Sequence, residues 1–243
     1  MQLLAIAPFR CFNRTALSAL AGILLAGCAS APFAEPTLPP LGEATPAMVL
    51  QEWREAVPER FVSEVSLVIE TPWQRTAALG CLRVDCVAGT FELVAMNHAG
   101  FKLFDLFGDR QSTQVRFAAP VLAEHPELLP ALADDLRHAF FDLVPPADAE
   151  ATTTRDVVRF LAPPGDDGRR EYVFGGEGRY LLRIACRRDW WRNAWQVGYY
   201  EYVTQSGGCF PRGIVVERPW PGFHLVIKQR NWQPIHAPDS PMP

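Results

Sequence analysis

Residues 91–106 read FELVAMNHAGFKLFDL, and this stretch decides the fold. Phe91, Leu93 and Ala95 occupy every second position, and this period of two is typical of a half-buried β-strand. Residues 97–100 include Asn and Gly, which interrupt the pattern, and the alternation resumes after them. The stretch therefore predicts two antiparallel strands joined by a short turn.

The same period of two continues on both sides of this hairpin. It recurs in residues 65–69, 101–107, 115–117, 155–161, 170–174, 180–187, 195–203, 214–218 and 223–230. No unit alternates strand with helix, so a parallel nucleotide-binding sheet is not indicated. A single antiparallel sheet of this size must curl. We therefore predict an α+β chain, mainly antiparallel β, that forms a half-open (unclosed) β-barrel of about nine to eleven strands with helices on its concave side.

Two segments have a helical period instead. Thr45 and Pro46 suit the cap and the first turn of a helix that ends before Pro58. Residues 127–144 form a second helix, which ends at two consecutive prolines and has one apolar stripe. The stripe consists of Leu128, Leu132, Leu136, Phe140 and Leu143.

Few residue patterns in the chain indicate catalysis. The five histidines have no metal-binding spacing, and a G-x-S-x-G sequence is absent. Asp134 and Asp135 are predicted on the solvated face of the second helix, and Asp166 and Asp167 in a turn. We therefore predict no catalytic residue, no cofactor and no metal, and a protein that is not an enzyme.

The N-terminus predicts export. Arg10 and Arg14 precede a short apolar run, and the first 27 residues contain no acidic residue. This pattern is typical of a secretory signal peptide, and the run is shorter than the roughly 20 residues that span a bilayer. Residues 25–28, LAGC, resemble the lipobox of bacterial lipoproteins. The resemblance implies cleavage before Cys28, which then carries diacylglyceryl and acyl chains such as palmitate. An ordinary signal peptide that contains a cysteine is the alternative.

Four segments follow from this reading. Residues 1–27 are the signal peptide, 28–44 the lipidated cysteine and a Pro-rich tether, 45–235 a single domain, and 236–243 a disordered tail. Ala29 after the cysteine implies, by resemblance, the outer membrane of a Gram-negative bacterium, with the protein facing the periplasm. The mature chain has 21 Lys and Arg against 27 Asp and Glu, a balance that disfavours nucleic acid as a partner.

Four cysteines remain in the expected domain. An even number in an oxidising compartment predicts disulfides. Cys81 and Cys86 could bridge a short hairpin loop, which would leave Cys186 and Cys209 to pair across neighbouring strands. A four-thiolate zinc site is the rival interpretation, but no C-x₂-C or C-x₄-C pair recurs.

Three stretches resemble the periplasmic lipoprotein-localisation factors, and more closely a group of uncharacterised outer-membrane lipoproteins thought to share their fold. They are residues 91–106, residues 129–145 with the sequence LPALADDLRHAFFDLVP, and residues 210–232, in which Phe-Pro-Arg begins a strand and Ile-Lys-Gln-Arg-Asn-Trp ends the domain. The resemblance implies an apolar concave interior, lidded by helices, that receives acyl chains. Members of the closer group are associated with lipid-linked aryl polyene pigments, which implies such a lipid as an alternative cargo. The extra cysteines and an Arg-rich turn at residues 187–192 depart from the localisation factors.

The predicted site residues fall into three sets, and ordinary core packing is the alternative for each member of the first two. The cavity wall comprises Val65, Leu67, Leu93, Phe101, Leu103, Val115, Phe117, Leu182, Ile184, Trp195, Val197 and Tyr199. The lid comprises Leu128, Leu132, Leu136 and Phe140. The mouth or membrane contact comprises Trp190, Trp191 and Trp220.

The expected partners follow from the same interpretation. They are a lipid or lipidated protein as cargo, the membrane through the N-terminal acyl chains, and a periplasmic carrier protein, with the chain itself a monomer. A scaffold lipoprotein that binds another envelope protein is the alternative function. A cleft with polar groups near Arg183, Arg187 and Asp189 would instead favour an enzyme.

Overall fold

The computed structural model describes residues 32–71, 75–166, 168–189, 192–205, 208–219 and 222–235. These residues form twelve strands in one antiparallel sheet and three helices. The helices are α1 (Pro46–Ala56), α2 (Pro120–Ala123) and α3 (Leu128–Phe140). The strands are β1 (Arg60–Glu70), β2 (Arg75–Asp85), β3 (Thr90–Met96), β4 (Lys102–Gly108), β5 (Thr113–Ala118), β6 (Glu150–Thr153), β7 (Val157–Leu161), β8 (Arg169–Gly175), β9 (Tyr180–Asp189), β10 (Arg192–Gln205), β11 (Gly208–Arg218) and β12 (Phe223–Pro234).

The sheet is unclosed, which confirms the predicted fold class. Its strand order is β5-β4-β3-β2-β1-β12-β11-β10-β9-β8-β7-β6, so β5 and β6 are the two edges and β1 pairs with β12 in the middle. The count of twelve described strands exceeds the predicted nine to eleven. β6 has the sequence EATT and is fully exposed, so it has no apolar alternation by which to recognise it.

Two helices pack on the same face of the sheet. Thr45 caps α1 by accepting a hydrogen bond from the Met48 amide, as the sequence predicts. The Trp53 ring of α1 lies 5.9 Å from the ring of Phe174. The Phe140 ring at the end of α3 lies 5.8 Å from the ring of Phe61 on β1. The apolar stripes of the two helices thus cover the concave, apolar side of the sheet.

The segment before α1 packs on the domain, where the sequence indicated an extended tether. Phe33 and Leu41 are buried, at 8% and 4% exposure. The Phe33 ring stacks on Tyr200 with centroids 5.6 Å apart, and the Leu41 amide donates to the Arg155 carbonyl at 2.9 Å. The predicted signal peptide, Cys28 and the C-terminal tail lie outside the described residues and stay predictions.

The predicted Cys81–Cys86 disulfide is wrong, because both thiols are free. Cys81 lies within β2 and Cys86 directly follows it, so residues 82–85 are strand and not a loop. Five strand residues advance the chain by about 16 Å. A disulfide requires Cα atoms within about 7 Å.

The predicted Cys186–Cys209 disulfide is wrong for a related reason, and neither of these cysteines forms a disulfide. Cys186 on β9 pairs with Trp195 of β10, whereas Cys209 on β11 pairs with Thr204 of β10. The two cysteines therefore lie on the two strands that flank β10. Their partners on β10 are nine residues apart, which is about 30 Å along the strand.

Candidate functional site

The concave face of the sheet holds most of the predicted wall residues. Seven of them are buried in the core: Val65, Leu67, Leu93, Ile184, Trp195, Val197 and Tyr199. Three of the four predicted lid residues, Leu132, Leu136 and Phe140, are buried on α3 against the same core, and Leu128 is half-buried. The alternation of the strands and the stripe of the helix thus brought these residues to one apolar interior.

The structure places four predicted wall residues of β4, β5 and the preceding turn elsewhere. Phe101, Val115 and Phe117 are exposed, at 70%, 42% and 41%, and Leu103 is half-buried. The inner positions of β4 are instead Phe104, Leu106 and Gly108. Both faces of β4 are apolar, so the period of two did not decide which face is inner.

A β-bulge explains the fifth misplaced wall residue, Leu182. Val173 pairs with Arg183, but the next residue of β8, Phe174, pairs with Leu181. Leu182 is therefore the extra residue of a bulge, which re-aims the side chains around it. Leu181 is fully buried in its place, and Leu182 is half-buried.

The interior between α1, α3 and the sheet is tightly packed. One apolar space between the helices and the sheet has a volume of about 20 Å³. That is room for about one water molecule. The space is lined by Trp53, Val57, Pro58, Phe61, Ala139, Phe140, Leu143, Tyr199, Tyr202, Cys209, Phe210, Pro211, Ile214 and Gln229. In this conformation α3 itself fills the concave side of the sheet.

A few polar contacts also hold α3 on the sheet. The buried Tyr199 hydroxyl donates to the Ala139 carbonyl at 3.1 Å. Arg218, at the end of β11, donates to the Ala131 carbonyl at 3.2 Å and contacts the Asp135 carboxylate at 2.5 Å. These contacts connect the middle and the end of α3 to two neighbouring strands.

Asp135 is fully buried, where the sequence indicated a solvated face. One carboxylate oxygen contacts Arg218, and the other has no hydrogen-bond partner among the described residues. Burial raises the pKa of Asp135 to about 7, against the lowering effect of the Arg218 charge and hydrogen bond. The cost of removing this carboxylate from water therefore outweighs its attraction to Arg218.

A polar cleft opens beside the C-terminal end of α3. It consists of two adjoining cavities of about 180 and 280 Å³, which share Asp142, Arg170 and Tyr172 in their walls. The first cavity is also lined by Arg110, Arg137, His138, Phe141, Ile184 and Trp195. The sequence predicted only Ile184 and Trp195 among these residues, because the others come from turns and from separate elements.

Arg183 and Arg187, which the sequence indicated as possible cleft residues, lie on the face of β8 and β9 that is opposite to the polar cleft. Arg183 and Arg187 each contact the Glu171 carboxylate at 3.2 Å, and Arg159 contacts it at 3.3 Å. They surround a buried carboxylate and do not line the cleft. The predicted mouth residues Trp190, Trp191 and Trp220 lie outside the described residues.

Within the described residues, no cluster of three or more His, Cys, Asp or Glu side chains is arranged to hold a metal ion. Among the helices that the structure describes, none is both long and apolar enough to cross a membrane.

No family model matches the chain, and no curated protein matches it. Solved structures do. The LolA superfamily protein NE2245 from Nitrosomonas europaea is 12% identical, with a TM-score of 0.54 over 81% of this chain and 96% of that one. A domain assigned to outer membrane lipoprotein sorting from Vibrio parahaemolyticus is 7% identical, with a TM-score of 0.45 over 76% and 90% of the two chains. A DUF1329 family protein from Desulfovibrio piger is 12% identical, with a TM-score of 0.43 over 80% and 92%.

At these identities the likeness concerns the fold alone, and it rests on the first of the three structures. The chain shares its fold with this LolA superfamily protein. In this chain an unclosed antiparallel sheet wraps helices on its concave side. This likeness confirms, at the level of the fold, the resemblance to lipoprotein-localisation factors that the sequence indicated.

Proposed function

We propose that this protein binds the acyl chains of a lipid or a lipidated protein between α3 and the concave face of the sheet. It acts without covalent chemistry, as a lipoprotein anchored through Cys28 to the outer membrane and facing the periplasm. The observation that carries the proposal is an apolar, unclosed sheet whose inner face is covered by helices, of which the amphipathic α3 buries the longer apolar stripe.

The apolar stripe of α3 occupies the place that an acyl chain would take. Leu132 and Leu136 are fully buried there, and each Å² of apolar surface removed from water is worth about 25 cal/mol. An acyl chain that takes the place of the stripe therefore covers again the inner face of the sheet that α3 uncovers when it lifts. The cargo class includes a lipid-linked pigment, which the sequence resemblance suggests.

Binding of a fluorescent fatty acid to the purified full chain tests this proposal. Tyr199→Phe removes one hydrogen bond between the sheet and the Ala139 carbonyl. Such a bond contributes about 0.5–1.5 kcal/mol, so the variant should lift α3 more easily and bind the fatty acid roughly two- to tenfold more tightly. Tyr200→Phe, on the opposite face, is the matched control and should leave the affinity unchanged. Absence of uptake by the wild-type chain would contradict the proposal.

The anchor is tested separately. Cys28→Ala should abolish incorporation of radiolabelled palmitate and move the protein from the outer-membrane fraction to the soluble periplasmic fraction. Palmitate incorporation that persists in this variant would contradict lipidation at Cys28.

A non-catalytic scaffold is the second candidate, and the packed interior favours it. Exposed Phe101 and Phe117 at one edge of the sheet would then contact another envelope protein. Failure of fatty-acid uptake, together with co-purification of one envelope protein that Phe101→Ser abolishes, would support the scaffold over the carrier.

A further inference from the structure

The polar cleft beside α3 contains a cluster of charges built from three separate parts of the chain. Asp142, just after α3, has a φ of 55°, a left-handed conformation that Asp adopts more readily than most residues. One of its carboxylate oxygens accepts from Arg110 at 2.8 Å and the other accepts from Arg170 at 3.1 Å. Asp142 therefore holds two guanidinium groups side by side at the wall of the cleft.

The positive charge of this cluster exceeds the negative charge. Arg110, Arg137 and Arg170 line the first cavity, and Asp142 is its one acidic lining residue among those described. Arg137 also pairs with Asp134 at 2.7 Å, so the described charges of the cluster leave an excess of one positive charge. Burial acts to raise the pKa of Asp142, but the hydrogen bonds and the positive charges of the two arginines together outweigh burial and lower it. Asp142 is thus a fixed anion, and the cleft retains an excess of positive charge that attracts a second anion.

Aromatic rings lie against the two guanidinium groups and limit their movement. Arg110 lies over the Phe141 ring at 5.4 Å, and Arg170 lies over the Trp195 ring at 5.7 Å. His138 stacks on Trp195, with centroids 3.9 Å apart and ring planes within 14°. Guanidinium groups held in this way present their N–H donors without first losing side-chain freedom, which suits two-point binding of a phosphate.

The cleft also borders the apolar interior. Trp195 and Ile184 line the cleft and belong to the buried core that α3 covers. An anion between Arg110 and Arg170 therefore lies next to the place where a lifted α3 would expose the inner face of the sheet. One ligand with a phosphate at one end and acyl chains at the other would fit both regions.

We propose that Arg110 and Arg170 bind a phosphate group, and that this phosphate is the headgroup of the acyl-bearing cargo. The inference rests on the proposed function for the cargo, but the anion site itself rests on the charge, the ring contacts and the space of the cleft. Asp142 and the two aromatic rings are positioning groups that hold the arginines in place.

Isothermal titration calorimetry of the full chain with three probes tests the inference. The probes are inorganic phosphate, dihexanoyl phosphatidic acid and uncharged dihexanoyl glycerol. We expect the wild-type chain to bind phosphatidic acid at least about tenfold more tightly than the glycerol. Arg110→Gln and Arg170→Gln should each remove most of this preference and leave the affinity for the glycerol unchanged.

Arg116→Gln is the matched control. Arg116 also lies over an aromatic ring, Phe107 at 5.0 Å, and also contacts a carboxylate, Glu92, but it is on β5 outside the cleft. It should keep the full preference for phosphatidic acid. Unchanged affinity for the uncharged glycerol in all three variants shows that they are folded, and circular dichroism checks this independently.

The outcomes separate this inference from the proposed function. Equal binding of phosphatidic acid and the glycerol by the wild-type chain overturns the anion site and leaves the acyl carrier intact. Binding of inorganic phosphate as tightly as phosphatidic acid, lost in both cleft variants while the glycerol does not bind, supports the anion site. That result overturns the lipid headgroup as its ligand, and the acyl carrier fails with it.

Discussion

Replacement of Asp135 by Asn tests whether burial or the attraction of Arg218 decides the pKa of Asp135, the buried member of this ion pair. Asp135 is fully buried, and one of its oxygens has no partner among the described residues. Burial raises its pKa to about 7, although Arg218 lowers it. In an unfolded chain the pKa of an aspartate is about 3.9. The folded protein therefore binds a proton at this carboxyl group more tightly than the unfolded chain does.

The sign of the pH dependence follows from this difference. Between about pH 4 and pH 7 the folded state holds the proton and the unfolded state has lost it, so the free energy of unfolding falls as the pH rises. About three pKa units at ~1.4 kcal/mol each give about 4 kcal/mol over the whole window, of which about 3 kcal/mol falls between pH 5 and pH 8. Asn cannot ionise, so Asp135→Asn lacks this contribution.

Urea unfolding at pH 5 and pH 8, followed by circular dichroism, measures the effect. The free energy of unfolding of the wild type minus that of Asp135→Asn should fall by about 3 kcal/mol between the two pH values. The subtraction cancels the titration of other groups. Asp134→Asn replaces an exposed carboxylate of the same helix, and its difference should change by less than about 1 kcal/mol. A difference that stays constant between pH 5 and pH 8 would refute the reasoning, because Arg218 would then hold the pKa of Asp135 at or below its unfolded value and the carboxyl group would be ionised in both states at both pH values.

Three further predictions concern packing and thiols. Phe33→Ala should release the segment before α1 and raise its amide hydrogen exchange, whereas Leu38→Ala, at an exposed position, should not; equal exchange in both would contradict docking through the Phe33 ring. Iodoacetamide should label Cys81 in the folded chain and the three other domain cysteines only after unfolding, and any disulfide-linked peptide found by mass spectrometry would contradict the absence of disulfides among these four cysteines. Leu136→Ala should lower the free energy of unfolding by about 2–5 kcal/mol, and Val121→Ala on the surface by less than about 0.5 kcal/mol; comparable losses would mean that α3 does not pack on the core.

The inner face of a strand could be predicted from the sequence where one face is apolar and the other polar. Val65 on β1 and Val197 on β10 are buried as their alternation predicts. On β4 both faces are apolar, so the period fits Leu103 inward as well as Phe104 and Leu106. Phe104 and Leu106 point inward because of a register shift between the ends of β3 and β4 and because of the contacts on the inner face. Neither of these causes can be seen in the sequence.

The charged contacts could not be predicted, because their partners are distant in the sequence. Asp135 and Arg218 are 83 residues apart. Asp142 meets Arg110 from 32 residues before it and Arg170 from 28 residues after it. Each of these residues, taken alone, has the sequence surroundings of a solvated helix face, a turn or a strand end. These contacts form only when α3 crosses the concave side of the sheet, because the crossing brings α3 close to strands and turns that come before it and after it in the sequence.

Arg137 of α3 donates to the Asp109 carbonyl at 2.6 Å and to the Thr113 hydroxyl at 2.7 Å, and these bonds must break if α3 leaves the sheet. The contacts that Tyr199 and Arg218 make with α3 oppose its release less. The carbonyl of Ala139 lies in the last turn of α3, where carbonyls lack a partner within the helix, so Tyr199 satisfies a group that water would satisfy equally well in a lifted α3. The Ala131 carbonyl lies within the helix, so the loss of Arg218 leaves it with its helical partner. Asp135 differs, because its buried carboxylate is poorly solvated on the sheet and regains water when α3 lifts. Above about pH 7 this residue therefore favours release of α3, so the apolar stripe must supply the free energy that keeps the concave face covered.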